Sequence, residues 1–432
     1  MLAEIPVPDQ VNPSSSATAA KTIRVGLLGL GNVGQAIARL APEAERLKSS
    51  GVRFRILSAL VRDVRRERHC PLPPRLTAEP DAFLREHYDV VIEALGGVEP
   101  ARTIVARLLG RGTPVVTANK ALVAAHGLEL AALAERRGTT LRYEASALAG
   151  VPFLGALTER PFVADVNRFT AVVNGTSNFI LSTIDSEQCP FGEALARAQS
   201  LGLTEPDPSR DLDGIDAADK FFLLASVFGW GTCSPEKLEL RGIRGIDAAD
   251  LAAARRLKAT IKPVVWARKE EAGIEAFIGP ALVAREHPLA SLSGTLSGIQ
   301  LSGTFISNLF FSGPGAGPDV TAATTLDDAI EAVSMSRRFP KRIARCSASA
   351  SVSAPVTEWF VRARFPCVAP DATAAEALFS NAGLSVVATT DAADGKRWLQ
   401  VRAASHETIS SSVATLQHRH RIDCFAMRAI GL

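Results

Sequence analysis

The sequence predicts an α/β chain in three folded parts. These are a doubly wound domain on a parallel sheet, a second α/β domain on a mostly antiparallel sheet, and a C-terminal βαββαβ unit. Three observations carry this. From residue 21 to 144, short β-type runs alternate with helical periodicity, the pattern of a parallel sheet covered on both faces. A glycine turn, Gly29-Leu30-Gly31-Asn32-Val33-Gly34, joins the first such run to the first helix. Residues 356–432 repeat strand and helix signals in the order of the ferredoxin-like plan.

Composition sets the bounds. The 432 residues, 47% hydrophobic and 22% charged, suit a globular chain of two or three domains and exclude a disordered or collagen-like one. A formal charge of +3 creates no field for a polyanion, so no nucleic-acid partner is expected. No apolar run approaches the roughly 18 residues of a membrane helix. Cys70, Cys189, Cys233, Cys346, Cys367 and Cys424 lie far apart with no CxxC pair. That argues against structural zinc and a disulfide scaffold, and fits a cytoplasmic protein. The histidines show no ligand spacing, and no GxSxG motif is present.

In chain order, residues 1–20 are Pro-, Ser- and Ala-rich and read as a disordered tail. The first domain spans 21–150. It has strands at 23–28, 54–61, 90–93, 114–117 and 140–144, and helices at 35–48, 102–109 and 121–137. The second domain spans 151–312, with strands at 168–173, 276–283 and 298–311 and helices at 191–200 and 215–228. Residues 313–340, which include a helix at 321–333, complete the first domain. Residues 341–355 form a linker around the low-complexity run 346–355. The C-terminal unit, 356–432, has strands at 358–365, 384–389, 397–403 and 422–430, with helices at 372–382 and 407–418.

The glycine turn sits between strand and helix, the context in which G-x-G-x-x-G binds a dinucleotide. Gly29 permits the tight turn, Gly31 lets the backbone approach a pyrophosphate, and Gly34 lets helix and strand pack closely. The helix N-terminus around Asn32 and Val33 supplies free N–H donors and a positive dipole end. Residues 21–150 therefore read as a Rossmann-type dinucleotide-binding domain. The second strand ends Val61-Arg62-Asp63. Arg62 suits the 2′-phosphate of NADP, while Asp63 keeps NAD open.

Lys120, in Thr117-Ala118-Asn119-Lys120, stands just past a strand's carboxyl end, where open α/β sheets bind ligands. The densest polar stretch, Glu205 to Lys220, runs into the apolar segment 221–230. In a helix starting near Asp213, Asp216 and Lys220 share a face. Burial at that edge lowers a lysine pKa and makes it a usable proton donor; an exposed ion pair in a charged first turn is the other reading. The loop from Tyr143 to Pro152 is rich in small residues and suits either a monovalent cation held by carbonyls or an interdomain hinge. The glycine-rich Gly313–Pro318 segment opens a helix that either touches the cofactor or only crosses back to the first domain.

GLGNVG, TANK, YEASALAGVP, VVNGTSNFIL, GLTEPDPSRDLDGIDAADK and GPGAG occur in this order, and over residues 22–340 the chain resembles homoserine dehydrogenases. The resemblance implies reversible hydride transfer between L-aspartate 4-semialdehyde and L-homoserine, on the route to threonine and methionine. It implies Lys220 as acid/base and Lys120 as the second lysine at the reacting oxygen. Glu205 would bind the substrate ammonium, and Asp211, Asp216, Asn174, Gly175 and Thr176 would form the rest of the substrate site. The glycine turn, Gly96 in the 93–97 turn, Lys120 and Gly317 would contact NADP or NAD. Carbonyls of Glu144, Ala147, Ala149 and Val151 would hold a sodium-type cation. The second domain would dimerise, giving a homodimer or higher homo-oligomer. The C-terminal unit is similar to an ACT regulatory domain. It lacks the usual Pro-Gly after its first strand, having Phe365-Pro366-Cys367-Val368-Ala369-Pro370 instead, so altered threonine feedback is expected. Two alternatives stay open: another NAD(P)-dependent amino-acid-pathway dehydrogenase, or a non-catalytic nucleotide- or amino-acid-binding paralogue.

Overall fold

The computed structural model describes residues 20–431 apart from 48–50, 159, 161–162, 234–237, 335–348, 367 and 391–394. Almost all of the expected N-terminal tail and residues 341–348 of the expected linker lie outside the described residues.

The first part of the chain runs β1 (Lys21–Leu28), α1 (Asn32–Leu40), β2 (Val52–Leu60), β3 (Arg75–Thr77), α2 (Pro80–Leu84), β4 (Val90–Glu93), α3 (Ala101–Gly110), β5 (Val115–Thr117), α4 (Lys120–Arg136) and β6 (Leu141–Arg142). Its six strands are all parallel, in the order β3-β2-β1-β4-β5-β6. The order reverses between β1 and β4, which opens a crevice at their carboxyl ends. Helix α1 begins inside the glycine turn, at Asn32, rather than at residue 35. It stops at Leu40 because Pro42 has no N–H to continue it, and the chain passes into a 3₁₀ turn, Ala41–Glu45.

The second part contains α5 (Glu144–Ala147), α6 (Leu154–Thr158), β7 (Val166–Val172), α7 (Gly175–Glu187), α8 (Phe191–Ser200), α9 (Ser209–Leu212), α10 (Ile215–Val227), β8 (Thr232–Cys233), β9 (Glu239–Leu240), α11 (Ala248–Arg256), β10 (Ala259–Glu270), β11 (Gly273–Ala284), β12 (Leu296–Gly303), β13 (Leu309–Pro314) and α12 (Pro318–Ser334). Its sheet is antiparallel in the order β13-β12-β7-β10-β11. The single strand expected at 298–311 is a hairpin, β12 and β13, because Gly303 to Asn308 supplies turn-forming residues. Strand β10 was not expected, since Pro263 interrupts it. Opposite Pro263 stands Pro280 of β11, so the two residues that lack an N–H share one position of the ladder. Helix α12 returns to the first part, where Ala322, Leu326, Ala329 and Ala332 join a core with Val25, Ile37 and Ile92.

The last part has β14 (Ser349–Ala350), β15 (Val352–Ser353), β16 (Thr357–Arg364), α13 (Ala372–Asn381), β17 (Val386–Thr389), β18 (Lys396–Ala404), α14 (His406–His420) and β19 (Asp423–Ile430). Its order, β19-β16-β18-β17, is that of the ferredoxin-like plan. Contrary to the linker reading, β14 pairs with β8 and β15 with β11, and Val352 is buried. The unit is not a separate body either. Strand β19 pairs in parallel with β11, so the second sheet runs on through it. One face of the unit is covered by its own helices over Trp359, Val361 and Leu399. The other, with Phe360, Trp398 and Met427, packs into a core with α7, α8 and α11.

Candidate active site

The carboxyl ends of β4 and β5 face the N-terminal ends of α7 and α10. The Asn119 side chain accepts from Leu122 N–H and caps α4, so Lys120 is the first residue of that helix. Helix α10 starts after Gly214, in the left-handed region at φ 82°, placing Asp216 and Lys220 one turn apart. These elements bring three charges together. One Asp216 oxygen lies 2.5 Å from Lys120 Nζ, and the other lies 2.9 Å from Lys220 Nζ. Lys220 Nζ also donates to the Val173 carbonyl at 2.5 Å.

Burial would by itself raise the Asp216 carboxyl pKa, but Lys220 and Lys120 outweigh it and hold the group below the usual carboxylate range. Lys220 is shifted down. Burial is the main cause, Asp216 opposes it, and the charge of Lys120 adds to it. A buried amine whose pKa is lowered by burial, with a fixed anion beside it, is a readier proton donor than a free lysine. Lys120 is more open, its side chain about 40% exposed.

The polar net extends into the 203–211 loop. Asn174 Nδ2 donates to Asp211 at 2.7 Å and to Asp216 at 3.0 Å, while its Oδ1 caps α7 at Ser177 N–H. Asp211 also accepts from Thr204 Oγ1 at 3.2 Å. Thr176 Oγ1 donates to the Leu203 carbonyl at 2.7 Å, so its hydroxyl ties down the loop. Gly175 is needed for close approach, since a Cβ there would meet the Thr295 carbonyl at 2.9 Å. Glu205 is exposed on the loop, and among the described residues its carboxylate has no partner.

The residues expected to contact a dinucleotide fall along the crevice. Gly29 takes φ 95° with the Ala94 carbonyl directly beside it, and its N–H donates to the Leu60 carbonyl. Space opens around Gly31, the N-cap of α1, which has no side-chain cap. Asn32 is exposed, Val33 is half-buried against the core, and Gly34 packs on the Gly29 carbonyl. An uncapped helix N-terminus with open space at a glycine fits a phosphate. Gly96 also faces open space. Gly317 lies at the start of α12, its carbonyl accepting from Thr321. Arg62 is exposed two residues past β2 and makes no ion pair among the described residues, whereas the Asp63 carboxylate accepts from Arg65 N–H at 2.8 Å.

The stretch from Tyr143 to Pro152, expected as a small-residue loop, starts with a short helix. Glu144 opens the short helix α5 and is buried. Its carboxylate accepts from the N–H groups of Phe153, Leu154 and Gly155 at 2.9, 2.8 and 2.5 Å. The side chain therefore caps α6, leaving only carbonyls for an ion. The Ala149 carbonyl accepts from Thr324 Oγ1. Ala147 and Val151 are buried beside it, as is Leu148.

Sequence reasoning missed the roles of Asn119, Ser177 and Thr204, and the sharing of Asp216 by two lysines. The Asn119 cap was signalled by an Asn directly before a helical run. The shared carboxylate had no local signal, because Lys120 and Asp216 are 96 positions apart.

Two family models match the chain. One, described as the NAD binding domain of homoserine dehydrogenase, matches residues 29–144; the other, described as homoserine dehydrogenase, matches residues 152–330. A homoserine dehydrogenase of Synechocystis is 34% identical over 318 residues, covering 72% of this chain and 73% of its own. That of Bacillus subtilis is 35% identical over 314 residues, 72% of each chain. Among solved structures, a homoserine dehydrogenase from Thiobacillus denitrificans aligns with a TM-score of 0.82 at 28% identity, over 95% of this chain and 98% of its own. A hyperthermophilic archaeal homoserine dehydrogenase in complex with NADPH aligns with a TM-score of 0.60 at 26% identity, over 74% and 99%.

Proposed function

Since this chain belongs to the homoserine dehydrogenase family, NAD(P)-dependent oxidoreductases acting on a CH–OH group, we propose that Asp216, Lys120 and Lys220 form its reaction centre. The observation that carries this is one carboxylate gripping a lysine from each side of the cleft. A bound nicotinamide dinucleotide supplies the hydride chemistry, and the protein supplies orientation and charge. In the reducing direction, negative charge grows on the aldehyde oxygen of L-aspartate 4-semialdehyde. The two ammonium groups stabilise that charge, and Lys220 delivers the proton, directly or through a water. In reverse, Lys220 takes the proton from the L-homoserine hydroxyl. Asp216 keeps both amines in place and offsets their mutual repulsion. Glu205, exposed and without a partner among the described residues, receives the substrate ammonium, and Asp211 with Asn174 fixes the loop that carries Glu205.

Gly31, Asn32, Val33 and Gly34 would hold the dinucleotide phosphates, with Gly29, Gly96 and Gly317 shaping the crevice. Arg62 favours NADP, since among the described residues its guanidinium makes no ion pair, while Asp63 is engaged by its own turn. A sodium-type cation would be held by the carbonyls of Glu144, Ala147, Ala149 and Val151. Hard oxygen donors suit such an ion, and the Glu144 carboxylate takes no part. Residues 21–150 with 313–340 act as the dinucleotide-binding domain, and 151–312 as the substrate and dimerisation domain of a homodimer or higher homo-oligomer. Residues 356–432 act as an ACT-like unit with weak or altered threonine feedback. In the turn after its first strand, Pro366 and Pro370 lack N–H groups. The Pro370 carbonyl is already held by Arg397 Nε and Nη2 at 3.1 and 2.8 Å.

The test is an assay of L-homoserine with NADP or NAD, following formation of the reduced nicotinamide. Turnover with either supports the reading, and turnover lost in Lys220→Ala, with the reduced cofactor still bound, assigns the lysine. No turnover with either cofactor overturns it. Strong inhibition of the intact chain by sub-millimolar L-threonine would refute the weak-feedback reading.

A further inference from the structure

Glu93 ends strand β4 with no solvent exposure, and the mechanism above makes no use of it. Its partners are all donors. One oxygen accepts from Thr117 Oγ1 at 2.5 Å. The other accepts from Leu95 N–H at 2.8 Å and from Asn119 Nδ2 at 3.3 Å. No cation pairs with the carboxylate among the described residues. Burial pushes its carboxyl pKa up, and the surrounding donors oppose that shift. An acceptor-only carboxylate is what three converging donors require.

These donors belong to two corners of the cleft. Leu95 is in the turn after β4, where Gly96 and Gly97 take φ 76° and 75°. Thr117 and Asn119 are in the corner after β5. Asn119 is bound into both: its Nδ2 also reaches the Gly97 carbonyl at 2.6 Å, while its Oδ1 caps α4. Thr117 Oγ1 in turn accepts from Asn119 N–H at 3.0 Å. The next residue is Lys120, whose Nζ meets Asp216.

We propose that Glu93 is a positioning residue. Its carboxylate fastens the 95–97 turn to the 117–120 corner, and so sets both the path of the turn beside the dinucleotide and the place of the Lys120 amine. This rests on the reading of Lys120 as a reaction lysine and extends it one layer inward. A neutral amide at position 93 presents an NH₂ to groups that are themselves donors, leaving at least one buried donor without an acceptor. The turn and the corner then part, although Glu93 touches neither lysine.

The test is a cycle of Glu93→Gln and Lys120→Met, read in kcat and in NADPH affinity by fluorescence. Glu93→Gln in the parent lowers kcat by about tenfold and weakens NADPH several-fold, effects of the size expected for coupled neighbours. In the Lys120→Met background it lowers kcat no further, because the group it positions is gone. Equal kcat losses in both backgrounds would overturn the proposal, as would unchanged NADPH affinity. If Lys120→Met itself retains parental kcat, the reading of Lys120 fails. The loss of NADPH affinity in Glu93→Gln then still decides whether Glu93 holds the turn. Should Glu93→Gln not fold, Thr117→Val removes one donor without changing shape, and the same cycle with Lys120→Met is read.

Discussion

In the cleft, Lys220 is buried against Asp216, and that carboxylate is shared with a second, more open amine. In the C-terminal unit, Arg428 is buried more deeply still. It donates to Glu239 at 3.1 and 2.5 Å, to the Pro355 carbonyl at 2.6 Å and to Thr357 at 2.7 Å, with its guanidinium 4.3 Å from the Trp359 ring centre. Both cations are shifted down by burial. The difference lies in what each can still do. An amine becomes a readier proton donor when its pKa is lowered, whereas a guanidinium, far more basic to begin with, stays charged and serves as a fastener. A buried cation alone does not mark a reaction centre; a titratable one beside an open cleft does.

The comparison breaks most sharply at Lys220. Replacing it with Ala should lower kcat by roughly 10²–10⁴-fold with NADPH binding nearly unchanged. Near-parental turnover would place Lys220 with Arg428, as a structural cation. Arg428→Met should do the reverse. It leaves the Glu239 side chain, 9% exposed, with Arg241 at 3.7 Å and His406 at 3.3 Å as its remaining ion-pair partners among the described residues. The expected cost is about 3 kcal/mol of stability, read from denaturant midpoints, with kcat of the folded enzyme little changed.

A smaller effect is expected at the cofactor end. Arg62→Ala should raise the NADP KM by about tenfold and the NAD KM far less, since only a 2′-phosphate engages the guanidinium. Equal changes would show that Arg62 does not read the ribose.

The smallest effect concerns a third buried cation, Lys262, which donates to the Leu292 carbonyl. Burial lowers its pKa from 10.5 to about 8. The unfolded chain then holds this proton more tightly than the native one, so stability from this group rises as pH climbs from 8 to 10.5. Across that window the melting temperature of Lys262→Met should move, relative to the parent, in the parent's favour by roughly 2 °C. A constant difference would mean that Lys262 titrates alike in both states.

Much of this was legible in the sequence where one force dominates. Strand β4 and helix α8 fall on the residues expected, because an apolar run and a helical stripe leave no alternative. All six elements of the C-terminal unit were legible for the same reason. Strand β10 was not, since the meaning of Pro263 depends on Pro280 opposite it, and pairing is not a local property. In the site, Lys120, Lys220 and Asp216 were all read as candidates, but their convergence needs two domains to close. The function of the Glu144 carboxylate as a cap was hidden likewise, because its acceptors' partners begin nine residues further on and are backbone groups.

The ladder between β11 and β19 also bears on what a cut in the chain would do. A bond severed between α12 and β14 would free two polypeptides on paper. The pieces would still share a sheet through Ala281–Val283 against Arg428–Ile430. Each would carry half of the apolar contact of Phe360, Trp398 and Met427 with Ile180, Leu251 and Leu282. The two fragments should therefore travel together through a sizing column. Either one expressed alone should present a sticky, half-built wall and depend on the other for solubility.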